Sequence, residues 1–252
     1  YMLKTRIIPT ILWKSENIVK GVGFDSWRRI GTLLPAVKVY NLRQVDELII
    51  LDIEATTEGR LPNLNTINDV TRECYVPLTI GGGIRTADDV KAILRAGADK
   101  ICLNTISYDN SGLISNIANK FGSQCVVASI DAKLVGSDYL CFSHNGTKNT
   151  GVTVKNWAKE IEKLGAGEII ITSIEKDGTM LGYDLDLIST VSSSVKIPVI
   201  ASGGAGGYED MYRAIVEAKA SAVAASSIFN FTEATPLEAK HYLAKKGINI
   251  RL

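Results

Sequence analysis

The chain has 252 residues, of which 46% are hydrophobic and 22% charged, and its net charge is +1. These values indicate a globular protein with a full core, and the near-neutral charge argues against binding to nucleic acid or an anionic membrane. No apolar run reaches the roughly eighteen residues of a membrane span, and the N-terminus has no signal-peptide pattern. The cysteines form no CxxC pair. We therefore expect a cytoplasmic protein with reduced thiols.

Short apolar runs rich in β-branched residues alternate along the chain with segments of helical periodicity. The predicted strands are 6–12, 47–53, 77–82, 100–105, 125–132, 168–174, 198–204 and 222–228, and the helices between them include 86–98, 110–122 and 156–167. Apolar strands that alternate with helices are typical of a parallel sheet covered by helices. Eight such units predict a single α/β domain over residues 1–252, a (β/α)8 TIM barrel. A doubly wound sheet is the alternative, but no GxGxxG turn follows the first strand.

The second half of the sequence repeats the first. "DELIILDIEATTEG" matches "AGEIIITSIEKDGT", and "PLTIGGGIRT" matches "PVIASGGAGG". Glu47 and Glu168, Gly82 and Gly203, and Thr105 and Ser226 are each 121 residues apart. This constant offset predicts two similar half-barrels, at about 1–122 and 123–252. When the first strand is aligned with the fifth so that Lys14 matches Lys133, Leu12 lies opposite Asp131.

Two glycine clusters occur where strands end, at "IGGGI" (80–84) and "ASGGAG" (201–206). Each precedes a strand whose end carries small polar residues, "NT" (104–105) or "SS" (226–227). Barrel active sites form at these strand ends, and exposed backbone N–H groups beside glycine can bind phosphate. The pattern predicts a substrate with a phosphate at each end. The alternative is that the glycines only permit tight turns.

Three carboxylates are also expected at the mouth of the barrel. Asp131 ends an apolar strand and is the strongest candidate for a general acid or base, because burial can raise its pKa. Asp52 and Asp177 are placed among the substrate-binding residues, although Asp52 can simply accept backbone hydrogen bonds and Asp177 can be a turn residue. The loop 15–24 is either a mobile lid that brings Lys20 to a phosphate or a solvated hairpin.

Four charged residues stand at the opposite ends of the strands. They are Arg6, Glu47, Lys100 and Glu168. Two cations and two anions can close a ring across the barrel floor, and ordinary ion pairing is the default interpretation there. His144 and His241 are too few and too far apart for a metal site, so we expect neither a metal nor a cofactor.

Together these segments resemble the HisF family, the cyclase subunit of imidazole glycerol phosphate synthase. The resemblance covers nearly the whole chain and rests on "RIIP", "DELIILDI", "GGGIRT", "ADKICLNT", "FGSQCVVASIDAK", "NGTKNTG", "GAGEIIITSIEKDGTMLGYD" and "IASGGAGG". It implies a barrel that receives ammonia from a bound HisH glutaminase and uses it on a bis-phosphate ribonucleotide. The implied products are imidazole glycerol phosphate and an aminoimidazole carboxamide ribotide.

The resemblance also implies roles for individual residues. Asp131 corresponds to the second of two catalytic aspartates, and Lys20 to a lysine on a closing loop. The two implied phosphate sites are formed by Gly82, Gly83, Asn104 and Thr105, and by Gly203, Gly204 and Ser226. Arg6, Glu47, Lys100 and Glu168 match the family's ring at the ammonia entrance, and Asp99 beside it is expected at the glutaminase interface.

The chain departs from the family at its first strand, where "TILW" replaces "CLDV" and Leu12 stands in the place of the first catalytic aspartate. Leucine cannot transfer a proton. The segment "LPNLNTINDVTRECYVPLTIGGGI" further resembles a divergent HisF-like branch, which works with a HisH-like glutaminase and a third, amidotransferase-type enzyme in acetamidino-sugar synthesis for surface polysaccharide. We predict this branch, with the cyclase of histidine biosynthesis as the alternative. The related single-chain isomerase shares the fold but has no reason to keep the floor ring.

Overall fold

The computed structural model describes residues 4–252. Its strands are β1 (Arg6–Lys14), β2 (Asn17–Val22), β3 (Asp25–Thr32), β4 (Leu48–Asp52), β5 (Leu78–Gly81), β6 (Lys100–Leu103), β7 (Val126–Val135), β8 (Asp138–Ser143), β9 (Lys148–Thr153), β10 (Glu168–Ser173), β11 (Val199–Ser202) and β12 (Ala222–Ala225). Eight of these strands pair in parallel in the order β1, β4, β5, β6, β7, β10, β11 and β12, and β12 pairs again with β1. The sheet is closed, which confirms the predicted TIM barrel.

The helices that follow the barrel strands cover the outside of the sheet. They are α1 (Leu33–Leu42), α2 (Leu64–Glu73), α3 (Ala87–Arg95), α4 (Thr105–Asp109), α5 (Gly112–Phe121), α6 (Val154–Leu164), α7 (Leu185–Ser192), α8 (Tyr208–Val216), α9 (Ser227–Phe231) and α10 (Pro236–Lys245), with a 3-10 turn at Ser123–Cys125. Local sequence fixes several starts. At α3, for example, the Thr86 hydroxyl accepts from the backbone N–H of Asp89, whose carboxylate accepts from Thr86 in return. Across residues 4–252, no helix is both long and apolar enough to cross a membrane.

Two β-hairpins stand above the barrel at equivalent places in the two predicted halves. β1 and β7 have 9 and 10 residues and extend beyond the closed sheet. β1 then pairs with the β2–β3 hairpin, and β7 with the β8–β9 hairpin. The segment 15–24 is therefore not the loop that the sequence analysis described, because most of it is antiparallel strand. The extra pairing partner supplied by the extended barrel strand explains why these polar segments form strands.

Apolar side chains fill the barrel on both faces of the sheet. One cluster packs between strands and helices and includes Ile7, Ile11 and Trp13 of β1. The alternate residues point inward, and the inner cluster contains Ile8, Ile49, Cys102, Val127, Ile170, Ile200, Ala222 and Ala224. This inner layer lies between the charged residues at the strand starts and the polar residues at the strand ends.

Candidate active site

A cavity of about 310 Å³ opens at the C-terminal ends of the barrel strands. We call it the mouth cavity. It brings together all the residues that the sequence predicted at this end, namely Lys20, Asp52, Gly82, Gly83, Asn104, Thr105, Asp131, Asp177, Gly203, Gly204 and Ser226. Leu12 also lines it. Its size is that of a small-molecule site, and its position is that of barrel active sites.

Asp131 is a buried acid of the mouth cavity that has no cationic partner among the described residues. It lies on β7, is 8% exposed, and its Oδ2 accepts a hydrogen bond of 2.5 Å from the side-chain amide of Asn104. Burial, reinforced by the charge of Asp177, raises the pKa of Asp131 to about 7, although the hydrogen bonds from Asn104 and Ser129 oppose the shift. A carboxyl group with such a pKa can both take and give a proton near neutral pH.

Leu12 occupies the position on β1 that corresponds to Asp131 on β7. It pairs with Val19 of the first hairpin and with Leu51 of β4, as Asp131 pairs with Phe142 of the second hairpin. This part of the cavity wall is therefore apolar. The first hairpin of the repeat keeps the geometry of the second but provides no proton-transfer group at its base.

Asp52, on the strand next to Leu12, is already engaged. Its Oδ2 accepts from Arg60 at 2.6 Å, and its Oδ1 accepts from the backbone N–H groups of Glu54 at 3.1 Å and Ala55 at 3.0 Å. The backbone hydrogen bonds considered from the sequence are thus present, and an arginine is added to them. Asp52 holds the loop after β4 and does not replace the missing acid at Leu12.

Lys20 lies on β2, so the segment forms the hairpin of one alternative, but Lys20 is only 3% exposed and is buried, not solvated. Its ammonium group donates to both carboxylate oxygens of Asp177, at 2.8 and 2.9 Å. The backbone carbonyl of Asp177 also accepts from Gly23 at 2.9 Å. Asp177 is therefore a turn residue, as one alternative stated, and it also anchors the first hairpin over the cavity.

The glycine clusters have a packing reason that does not depend on a ligand. Gly82 has φ +110°, and a Cβ there would lie 2.3 Å from the carbonyl oxygen of Asp52. Gly204 has φ +106°, and its Cβ would lie 2.2 Å from the carbonyl oxygen of Gly182. Larger residues are excluded at both places. The turn interpretation therefore accounts for the glycines by itself, and the phosphate interpretation stays a prediction.

The small polar residues near these glycines do not end strands as predicted. β6 ends at Leu103 and β12 at Ala225, so Asn104 and Ser226 precede the short helices α4 and α9. At both places the closed sheet ends and the chain continues as a short helix. Thr105 begins α4, and its hydroxyl accepts from the backbone N–H of His144 at 3.0 Å. The side-chain amide of Asn104 donates to Asp131, so the contact that the structure shows for Asn104 is with this acid.

The floor ring, formed by Arg6, Glu47, Lys100 and Glu168, closes the other end of the barrel. Arg6 donates to Glu47 and Glu168, both at 2.8 Å, and Lys100 donates to Glu47 at 3.0 Å and to Glu168 at 2.7 Å. Burial opposes the charge on Arg6, yet the two glutamates outweigh it and raise the pKa of the guanidinium. Burial alone would raise the pKa of Glu168, but the hydrogen bonds and charges of Arg6 and Lys100 outweigh burial and lower this pKa. The ion pairs therefore favour the charged forms of Arg6 and Glu168.

The surroundings of the floor ring include the residue expected at a partner interface. Asp99, next to Lys100, is exposed, and its carboxylate accepts from the backbone N–H of Leu78 at 2.8 Å. A second, buried ion pair joins Lys240 of the last helix to Asp46 at 2.8 Å. The floor is thus rigid and charged, with Asp99 on its outer surface.

Three residues at the mouth were not predicted from the sequence as site residues. Arg60 pairs with Asp52, His144 lines the cavity, and the side-chain amide of Asn145 donates to the carbonyl of Ile53 at 2.8 Å. The "NG" pair at 145–146 is a typical hairpin-turn sequence and could have located the second hairpin. No sequence signal identifies Arg60. Within residues 4–252, no group of three or more His, Cys, Asp or Glu side chains is arranged to hold a metal.

Comparison with known proteins agrees with this geometry. Residues 6–235 match a family described as "Histidine biosynthesis protein". A protein of Hyphomonas neptunium named "Imidazole glycerol phosphate synthase subunit HisF" is 48% identical over 250 residues, 99% of each chain. Proteins of the same name from Prosthecochloris aestuarii and Caulobacter vibrioides are each 45% identical and are covered over 100% and 97% of their length. The chain belongs to the HisF family.

These relatives refine the functional prediction. They are named as a subunit of imidazole glycerol phosphate synthase, which corresponds to the alternative prediction. The acetamidino-sugar branch that the sequence analysis preferred receives no support from them. Within the HisF family, the apolar wall at Leu12 is the structural feature that still bears on the reaction.

Proposed function

We propose that this HisF-family chain is the ammonia-using barrel subunit of a complex with a HisH-type glutaminase. The floor ring carries the proposal. Four ion pairs of 2.7 to 3.0 Å concentrate two cations and two anions at the barrel floor, the end opposite the mouth cavity. A glutaminase bound against exposed Asp99 would release ammonia directly at this ring.

We propose that the mouth cavity binds a ligand with two phosphate groups. β5 and β11, which carry the glycine clusters, are four strands apart in the closed sheet and therefore face each other across the cavity. Gly82 and Gly83 approach one end of such a ligand, and Gly203 and Gly204 the other. Asp131 lies between them and serves as the acid–base group. The half-barrel repeat supplies the symmetry of the two phosphate sites.

Two reactions fit this site. The names of the relatives favour closure of the imidazole ring in histidine biosynthesis, and this is the first candidate. Leu12 favours the second, in which the barrel mainly delivers ammonia for the acetamidino modification of a sugar together with a third enzyme. Loss of one of two cooperating acid–base groups typically lowers a rate by about 10²–10⁴-fold. The second candidate rests on that loss and on the resemblance of residues 61–84 to the divergent branch.

The deciding experiment measures turnover of the bis-phosphate ribonucleotide with excess ammonium salt at alkaline pH. Wild type is compared with Leu12→Asp, and with Leu181→Asp, which changes a leucine that is 77% exposed and outside the cavity. Wild-type turnover similar to that of a HisF relative supports the cyclase. Turnover in Leu12→Asp alone supports the ammonia-delivery role. If neither protein binds the nucleotide, the proposed bis-phosphate site is wrong.

A further inference from the structure

His144 is an ionisable residue of the mouth cavity to which neither the sequence analysis nor the proposed reaction gives a role. It lies in the turn between β8 and β9, two residues after Phe142, which pairs with Asp131. Its backbone N–H donates to Thr105, the neighbour of the Asn104 that holds Asp131. The turn thus places an imidazole at the cavity wall, beside the acid.

The backbone at this turn is held in an unfavourable conformation. His144 and Asn145 have φ values of +51° and +54°, in the left-handed region that residues other than glycine seldom adopt. The carbonyl of His144 accepts from the backbone and hydroxyl of Thr147, at 3.3 and 2.7 Å, and Asn145 is tied to Ile53 across the mouth. Strained residues that are fixed so completely cluster at functional sites.

The imidazole has one nitrogen engaged and one available. Nδ1 lies 3.0 Å from the hydroxyl of Ser143, which is 3% exposed, whereas Nε2 has no hydrogen-bond partner among the described residues. A hydrogen bond at one ring nitrogen sets the orientation and tautomer and leaves the other to act on a ligand. His144 is half-buried, so it is reachable from the cavity.

The other ionisable groups of the cavity are less suited to a second proton transfer. They are Lys20, Asp52, Arg85, Cys102, Asp109 and Asp177. Burial raises the pKa of the Cys102 thiol to about 12. Lys20 and Asp177 neutralise each other, Asp52 is bound by Arg60, and Asp109 is exposed at the end of α4. Arg85 offers only N–H donors and no acceptor. With Leu12 on the opposite wall, Asp131 and His144 remain.

We propose that His144 contacts the ligand and is the second proton-transfer residue of the mouth cavity, which compensates for Leu12. This inference rests on the proposed ammonia-using function. As ammonia forms its C–N bond to a carbonyl carbon of the ligand, the C=O π bond breaks and its electron pair moves to the oxygen. The nitrogen becomes cationic and gives one proton to Nε2 of His144, and the resulting imidazolium later gives it to solvent. Asp131, on the same wall, gives a proton to the oxygen and takes one back from solvent.

The first test uses the full chain with the bis-phosphate ribonucleotide and ammonium salt. Asparagine tolerates the left-handed conformation as histidine does, so His144→Asn keeps the turn and removes the proton-transfer group. We expect kcat to fall by about 10²–10⁴-fold and its pH profile to change, while KM changes less than about threefold. His241→Asn, at an exposed position on α10, is the control and leaves kcat unchanged. A kcat within about threefold of wild type in His144→Asn overturns the inference.

The second test does not depend on turnover. The chain has 2 histidines, so its NMR spectrum contains two ring C2–H signals, which His241→Asn assigns. Titration with the same nucleotide should shift the His144 signal and leave that of His241 in place. Shifts of the Gly82 or Gly203 amides without a shift of His144 contradict the inference but leave the proposed function intact. If no signal shifts, the proposed ligand is wrong, and the role of His144 fails with it.

Discussion

The floor ring allows a stability prediction that can be worked from the structure. Glu168→Gln keeps the size of the side chain and removes its charge, so Arg6 and Lys100 retain only Glu47 as an anionic partner. The Glu168 side chain is 11% exposed, and it accepts hydrogen bonds of 2.8 and 2.7 Å. Breaking a buried ion pair costs about 3–5 kcal/mol. Because each cation keeps one bridge, we expect about 2–3 kcal/mol, a fall of roughly 4–12 °C in Tm.

The effect should also depend on pH, since the cations lower the pKa of Glu168 below its ordinary value. A carboxylate with a lowered pKa stabilises the folded state fully above its unfolded pKa, at about 4.3, and loses this contribution as the pH falls through the folded value. The difference between wild type and Glu168→Gln should therefore be largest near neutral pH and shrink below about pH 4.

Urea unfolding followed by circular dichroism measures this difference. The matched control is Glu217→Gln, which removes an exposed partner of Arg213 in a pair whose side chains are 49% and 51% exposed. Exposed pairs contribute about 0–1 kcal/mol. If Glu168→Gln destabilises no more than Glu217→Gln at neutral pH, the floor ring does not stabilise the barrel and the reasoning from its geometry is refuted.

Two further predictions concern the mouth. Because burial raises the pKa of Asp131 to about 7, ionising it destabilises the fold progressively between about pH 4 and pH 7, by about 4 kcal/mol in all. Asp131→Asn should therefore raise Tm at about pH 8 and have little effect on Tm near pH 4. It should also lower ammonia-dependent turnover by about 10²–10⁴-fold. Equal Tm values of variant and wild type at about pH 8 would contradict the raised pKa of Asp131. Gly204→Ala would place a Cβ 2.2 Å from a backbone carbonyl oxygen, whereas Gly136→Ala meets nothing within 4 Å, although both glycines have positive φ. Thermal unfolding should show a much larger loss for Gly204→Ala than the roughly 1 kcal/mol of backbone strain expected for Gly136→Ala, and equal losses would refute the packing argument.

The positions of the barrel strands could be predicted because each strand is an apolar run between helical segments. The four hairpin strands left weaker signals, although the "NG" pair at 145–146 marks the turn of the second hairpin. Two of them, Asp25–Thr32 and Lys148–Thr153, are mostly polar and exposed. Each forms a strand because it pairs with the preceding strand of its hairpin, β2 or β8, which in turn pairs with an extended barrel strand. A strand that depends on a distant partner leaves a weak local pattern.

The composition of the candidate site was predictable for a related reason. In a parallel barrel the C-terminal ends of all strands meet at one edge, so residues that follow apolar runs, such as Asp131 and Gly203, come together whatever their separation in sequence. The same rule placed Arg6 and Lys100 at the floor. Strand direction alone was enough to sort residues between the two ends.

What the sequence by itself determined is therefore the barrel, its repeat, the residues at each end, and the absence of an acid at Leu12. Only the tertiary structure decided how the charged groups pair. Lys20 and Asp177 are 157 residues apart and lie 2.8 Å from each other, whereas Asp131 was left with an amide and no cation. Such pairing depends on distances of a few ångströms between side chains from different loops, and burial there fixes which acid can hold a proton.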